Sequence, residues 1–349
     1  MNLSLKNNTT LSKTIKNEKH HFSFLYLYLS AQFKTMIKKL IFLLGIFISL
    51  TSLSQDDLLS LVKDGAKDEP AKPVYATFKT TKIVNSQNIE TVKKRNLDFR
   101  VTHRFGNIYN KNSSNALNEA AHNAFGLDNS TDIRISFDYG ITDKLTVGIG
   151  RSKFREMNDA SIKWRFLSQK ENNKIPVSVC FYGNLGYTSM TTDNLYAGTI
   201  RPKTNEAHRL QYVSQLLIAR KFNSWFSVQI MPTYIHRNFI KQQLNINNNK
   251  EDVNGLFSLG IGGRLKISKR MALVVDYFYN FSEYQKNNTN AYYNPLGVGI
   301  EIETGGHVFH INYTNGAAIL ESSLLTSTQD AWTKGQIKLG FNISRWFAL

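Results

Sequence analysis

The chemistry this chain offers is a set of charged side chains recurring at every second position, with apolar residues between them. Arg100, Arg104, Arg134, Lys163, Arg165, Arg209, Arg264, Lys266 and Lys338 share one parity of their segments with Asp98, Asp132, Asp138, Asp276, Glu301 and Glu303. Nine cations against six carboxylates leave that face modestly positive. Such a set can neutralise itself in ion-pair networks, because an unpaired charge in a poorly hydrated space is costly. It can also line an aqueous path whose field favours anionic solutes. Gly148, Gly150, Gly183, Gly260, Gly262, Gly297 and Gly299, read on the same face, would leave room for a passage or relieve crowding where a wall curves, and curvature is the preferred reading.

Covalent and metal chemistry find little support. A hydrolase needs a nucleophile, a base and an orienting group brought together. His103 falls on the apolar parity and His310 on the polar one near Asn312, yet neither has a serine at a spacing that compels a dyad, and there is no G-x-S-x-G elbow. His20 and His21 lie in a segment expected to be lost, and no other pair has metal-ligand spacing, so no cofactor and no enzymatic activity are expected. Cys180 is the sole cysteine, which rules out an intrachain disulfide. The net charge of +17 falls to +11 if the chain is cut after Ser54, since seven lysines and one glutamate precede that point. The remaining surplus suits loops facing anionic lipid headgroups or lipopolysaccharide. It does not suit nucleic acid, because the basic residues are spread through strands rather than clustered with base-stacking aromatics.

The elements that must position these charges are β-strands. In 132–150, Ile133, Ile135, Phe137 and Tyr139 alternate with Asp132, Arg134, Ser136 and Asp138; after a turn, Leu145, Val147 and Ile149 alternate with Thr146, Gly148 and Gly150. This is a hairpin with one apolar and one polar face. Segments 96–106, 132–140, 144–154, 160–168, 175–188, 208–222, 225–237, 254–267, 271–281, 295–303, 307–314 and 335–347 repeat the theme, with no helical segment between them. Most are near the roughly 9–11 residues a tilted strand needs to cross hydrocarbon. Every second connection is a tight turn and those between are mostly long and polar, the asymmetry of an outer-membrane barrel with periplasmic turns and extracellular loops. An even strand count puts both termini in the periplasm. The expected fold is therefore an all-β, antiparallel, up-and-down transmembrane barrel of about 12 strands over residues 95–349.

Ahead of the barrel, residues 1–35 read as an upstream extension or a mis-assigned start. Residues 36–54 read as a signal peptide: a basic start, a short apolar core at 40–50, and small residues leading to cleavage between Ser54 and Gln55. Residues 55–94 form a periplasmic lead-in or a plug in the lumen. Tyr139, Trp164, Phe166, Trp225, Tyr277, Tyr279, Phe281, Tyr313, Trp346 and Phe347 lie near strand ends, where interfacial girdles belong. In the last segment Gly340, Phe341, Ile343, Trp346 and Phe347 read as a C-terminal signal for barrel-assembly machinery, although Ala348 and Leu349 follow the aromatic pair.

The motifs FKTTKIVN (78–85), HRFG (103–106), FGLD (125–128), DYGITDKLTVGIGRS (138–152), PVSV (176–179), HVFHINYTN (307–315) and GFNISR (340–345) span nearly all of the expected mature chain. Through them the sequence resembles the uncharacterised outer-membrane β-barrel proteins of Bacteroidota, a domain family of unknown function. The resemblance implies a barrel in the outer membrane of a Gram-negative cell and no particular reaction or ligand. The leading functional expectation is a pore for small solutes, with anionic ones favoured. The alternative is a non-conducting structural or surface-interaction barrel, and third comes a barrel hydrolase.

Overall fold

Period-two alternation of β-branched and aromatic residues with polar ones gives each strand two unlike faces, and the wall forms by setting like faces side by side. A computed structural model describes residues 72–111, 113–199 and 204–349. The expected upstream extension, the signal peptide with its Ser54–Gln55 cleavage point, and the first part of the lead-in lie outside the described residues. Twelve strands close into one antiparallel barrel: β1 (Asn96–Asn107), β2 (Ser130–Thr142), β3 (Leu145–Ser152), β4 (Met157–Leu167), β5 (Ser178–Thr188), β6 (Leu210–Lys221), β7 (Phe226–Arg237), β10 (Gly255–Lys266), β11 (Met271–Phe281), β12 (Leu296–Thr304), β13 (His307–Thr314) and β14 (Lys338–Ala348). β8 (Leu244–Asn245) and β9 (Lys250–Glu251) make a separate small hairpin in the β7–β10 loop. Each barrel strand pairs with its sequence neighbours, and β1 closes the ring on β14, with Val101 opposite both Ile135 and Ile343.

Parity decides which side chains leave the barrel. Ile135, Phe137, Ile149, Ile162, Trp164, Phe181, Ile261, Tyr279, Ile300 and Ile311 are exposed on the outer surface, Ile149 to 63 %. The intervening Asp98, Arg100, Arg104, Asp132 and Arg134 are buried, Arg104 completely. Greasy side chains outside and ions inside invert the arrangement of a soluble sandwich.

Several expected strand bounds shift by two or three residues, three of them at strand starts for a local reason. β4 begins at Met157 rather than at 160, because its ladder with β3 continues to the Ser152–Met157 pair. β6 begins at Leu210 rather than 208; His208 and Arg209 belong to a 3-10 turn (Glu206–Arg209) opened by the Asn205 side chain, which accepts from Ala207 N–H. β14 begins at Lys338, since Gly335 at φ 74° ends a 3-10 turn over Trp332–Lys334. The loops also carry short helices that periodicity did not reveal: α1 (Ala116–His122), α2 (Thr192–Leu195) and α3 (Glu321–Ser327). α3 and its flanks turn inward, and Leu320, Glu321, Leu324 and Leu325 are all buried. No helix among the described residues is long and apolar enough to cross a membrane, which bears on helices and not on strands.

A charge placed on the outer girth near mid-strand must enter hydrocarbon. Ile261, half exposed in the middle of β10, is such a site. Ile261→Lys is expected to lower folding stability in lipid vesicles by about 2–4 kcal/mol, with Ile261→Val nearly neutral. Denaturant titration, with heat-modifiable gel migration as the folding readout, measures the difference.

Candidate functional site

The candidate site is the lumen, where the sequence set most of its titratable residues. Within it the wall ions pair: Arg100 with Asp98 at 3.0 Å, Arg134 with Asp159 at 2.7 Å, and Arg264 with Glu301 at 2.7 Å. Asp132 accepts from Ser152 Oγ, from Phe154 N–H and from Ile319 N–H of the inward-turned loop. Asp138 lines a small cavity beside Arg100, Arg134 and Lys163. Lys338 lies at the long-loop end and pairs with Asp330.

Most of the remaining partners come from residues 74–94. This stretch passes Lys221 and Lys170 at the tight-turn end, runs into the barrel, reverses at 83–86, and returns to Asp143 at the same end. Lys82 and Gln87 bridge across the reversal, and Ile83 N–H donates to Ser86 O at 2.9 Å. The tip converges on one carboxylate. Val84, Asn85 and Ser86 N–H donate to Asp276 Oδ2 at 3.0, 2.7 and 2.8 Å; Ser86 Oγ joins them at 2.9 Å, and Asn85 Nδ2 donates to Oδ1 at 3.0 Å. Three successive amides aimed at one anion form a concave donor nest, and charge-assisted bonds of this kind are among the stronger ones.

Other wall side chains fasten the two legs. Gln229 accepts from Ile89 N–H and donates to Gln87 O, both at 2.9 Å. Thr146 Oγ1 accepts from Val92 N–H at 2.9 Å, and Lys163 Nζ donates to Thr81 O at 3.0 Å. Arg104 donates to Asn85 Oδ1 at 2.8 Å and also to Asn312, while Arg165 pairs with Glu90 at 3.3 Å. His310 sets Nδ1 3.1 Å from Ile83 O. From the opposite end, Glu321 accepts from Lys82 Nζ at 3.2 Å and Gln87 Nε2 at 3.1 Å, so the two inserted segments meet. Burial lowers the Lys82 ammonium from its ordinary range, with Glu321 pulling it back up.

The interior is also two-sided. Phe78, Ile83, Val84 and Ile89 pack with Leu217, Met231, Ile235, Val274, Phe278 and Leu324 in one apolar cluster. Leu217, Met231, Ile235, Val274 and Phe278 are lumen residues absent from the expected set, although apolar residues interrupt the polar parity of β6 and β7 at Val213, Leu217, Met231 and Ile235. Asp159 falls just before the expected start of β4 at 160, and Lys82, Glu90 and Glu321 lie outside strands. Arg209 is a correction: it sits in the turn before β6, where it donates to Thr188 O and Met190 O and lines no lumen wall. Lys266 lies exposed and Glu303 half-buried at the tight-turn rim. Gly183 is a second correction, since a side chain there would meet Phe181 and Ile162 on the outer surface. Gly262 and Gly297 face inward and make room for the inserted segment. A Cβ would come within 2.5 Å of Ile83 at the first and of Asn85 at the second.

A closed sheet with an apolar girth and paired ions inside is a membrane-spanning β-barrel, because only closure satisfies every strand in lipid. The chain belongs to the membrane bound beta barrel domain family DUF5777, whose model matches residues 78–347 and so takes in most of the inserted segment. Comparison with curated proteins finds no match. Solved structures to which the chain is similar include an outer-membrane channel from Pseudomonas putida F1, at 10 % identity and TM-score 0.44, covering 76 % of this chain and 100 % of that one. They also include the KdgM porin in complex with disordered oligogalacturonate, at 8 % identity and TM-score 0.39, covering 73 % and 99 %, and LpxR from Salmonella typhimurium, at 10 % and 0.34, covering 72 % and 100 %.

Asp276→Ala leaves three backbone N–H groups at the tip without their acceptor, each a loss of about 1–3 kcal/mol when buried, while the wall ladder is untouched. Residues 79–94 are then expected to become sensitive to trypsin at Lys79 and Lys82 while the barrel stays resistant. Limited digestion followed by mass spectrometry reads this out; equal protection in variant and wild type would show that Asp276 does not hold the segment.

Proposed function

We propose that the protein is an outer-membrane channel for small solutes, held closed by residues 74–94 from one end and by the α3 loop from the other. The observation that carries this reading is the path of residues 74–94. They enter and leave at the same end and add no strand to the wall, so their withdrawal would break no rung of the barrel. On the same reading the tight turns and both ends of the barrel domain face the periplasm, and the long loops face outward among lipid and lipopolysaccharide. Gly340, Phe341, Ile343, Trp346 and Phe347 would serve recognition by the assembly machinery.

Anionic solutes are the favoured cargo. Withdrawal strips segment partners from five wall cations, Arg100, Arg104, Lys163, Arg165 and Lys221, against two wall carboxylates, Asp276 and Glu303, that lose their donors. A second reading, a permanently closed structural barrel, is favoured by one specific observation, the burial of Phe78, Ile83, Val84 and Ile89 in a continuous apolar cluster.

Planar-bilayer recording separates the two. Wild type is expected to be silent or to open rarely, and Asp276→Ala to give discrete steps whose reversal potential favours anions. Lys163→Gln with Arg165→Gln on that background should reduce the anion preference. A folded variant lacking residues 72–94 that never conducts would leave the structural barrel as the answer.

A further inference from the structure

At the tight-turn end, beside the point where residues 74–94 enter, five cations surround one cavity. Lys79 comes from the inserted segment, Lys221 from the end of β6, Arg264 and Lys266 from the end of β10, and Lys269 from the turn that follows. The cavity has a volume of about 130 Å³, against the roughly 10–15 Å³ that seats one water. Among the described residues Glu303 is the one carboxylate lining it.

The charges there do not balance. Lys79 pairs with Glu303, and Arg264 uses Nε and Nη2 on Glu301 Oε1 at 3.0 and 2.7 Å. Among the described residues Lys221 Nζ has only backbone carbonyls, Tyr75 O at 2.9 Å and Ala76 O at 3.2 Å. Lys266 and Lys269 have no ion pair among the described residues. Three uncompensated ammonium groups around one concavity repel each other and focus a positive potential into it. Lysines spread separately along a rim would be solvated one by one; these line a single half-open concavity formed by two turns and the inserted segment.

We propose that this cavity is an oxyanion site, taking a small solute that carries at least two negative charges as phosphate or carboxylate groups. Ammonium groups act on such a ligand as point charges and need no fixed approach geometry, which suits a site serving a range of small anions. Because Lys221 holds the carbonyls of Tyr75 and Ala76, and Lys79 belongs to the segment itself, an occupant would compete for the groups that fasten the segment where it enters. That consequence rests on the closed-channel reading; the binding does not.

The test is calorimetric titration of the full chain in an uncharged maltoside detergent and phosphate-free buffer, using inorganic phosphate, pyrophosphate and citrate. Saturable binding that tightens with ligand charge and weakens with salt is expected. In Lys266→Gln/Lys269→Gln, whose side chains are exposed, affinity should fall about tenfold or more. Repeating the titration in nanodiscs assigns the source: equal affinity in phosphatidylglycerol and phosphatidylcholine points to a free solute, and loss in phosphatidylglycerol alone points to a headgroup phosphate, both upholding the site. Absence of saturable binding, or unchanged affinity in the folded double variant, overturns it. A barrel that never conducts but binds these anions would refute the channel while leaving the site intact.

Discussion

Closure of the sheet is the constraint from which the rest follows. In hydrocarbon no water is present to satisfy an unpaired strand edge, so β1 must find β14 before the wall can exist there. Once closed, the sheet converts period-two alternation into two compartments, lipid outside and a confined interior inside. Every charge on the inner parity is then committed to that interior. Confined charges need partners, and the wall supplies only some of them: Asp98 with Arg100, Asp159 with Arg134, Glu301 with Arg264. Asp276 and Arg165 find theirs on an inserted segment, and Glu321 brings an acceptor for Lys82 from the opposite end. The inserted pieces are thus part of the charge balance of the barrel as well as obstacles in its lumen.

The wall was legible in the sequence because its signal is local. Ile133, Ile135 and Phe137 on one parity and Asp132, Arg134 and Ser136 on the other state both the strand and its faces, and sorting the connections by length states the topology. Errors arose where local pattern gives way to another rule. Arg209 kept the right parity, but Asn205 caps a turn there and ends the periodicity before the strand begins. Gly183 has no side chain whose polarity could declare a face.

The interior was less legible for a different reason. An inward apolar residue such as Met231 or Phe278 looks like a misplaced lipid-facing one until something apolar is known to sit against it. That something, residues 78–92, has no strand or helix period of its own, because its backbone groups are satisfied by side chains such as Gln229, Thr146 and Asp276 rather than by a ladder. Pairings across more than a hundred residues of chain leave no trace in a window of ten. The tripeptide Val84-Asn85-Ser86 acquires meaning only beside Asp276.

The two-sidedness of the interior also bears on how a closed lumen could open. Moving the inserted segment off the apolar wall exposes Phe78, Ile83, Val84 and Ile89 together with Leu217, Met231 and Phe278, at about 1.5–3 kcal/mol for each large side chain. Moving it off the polar wall exchanges hydrogen bonds to protein for hydrogen bonds to water, where the net change per bond is about 0.5–1.5 kcal/mol. The cheaper first displacement therefore pivots on the apolar side and parts from β1–β5 while the tip stays on Asp276 of β11, a hold that full withdrawal also breaks. A cavity of about 20 Å³ already lies on that side, between Thr81, Lys82 and Gln87 of the segment and Arg100, Arg134, Asp138 and Lys163 of the wall. That volume seats about one water. On the channel reading, a path that widens from this seam would run along the charged wall and leave the apolar one covered, so the residues that pair most of the charges in the closed state are also those a passing solute would meet.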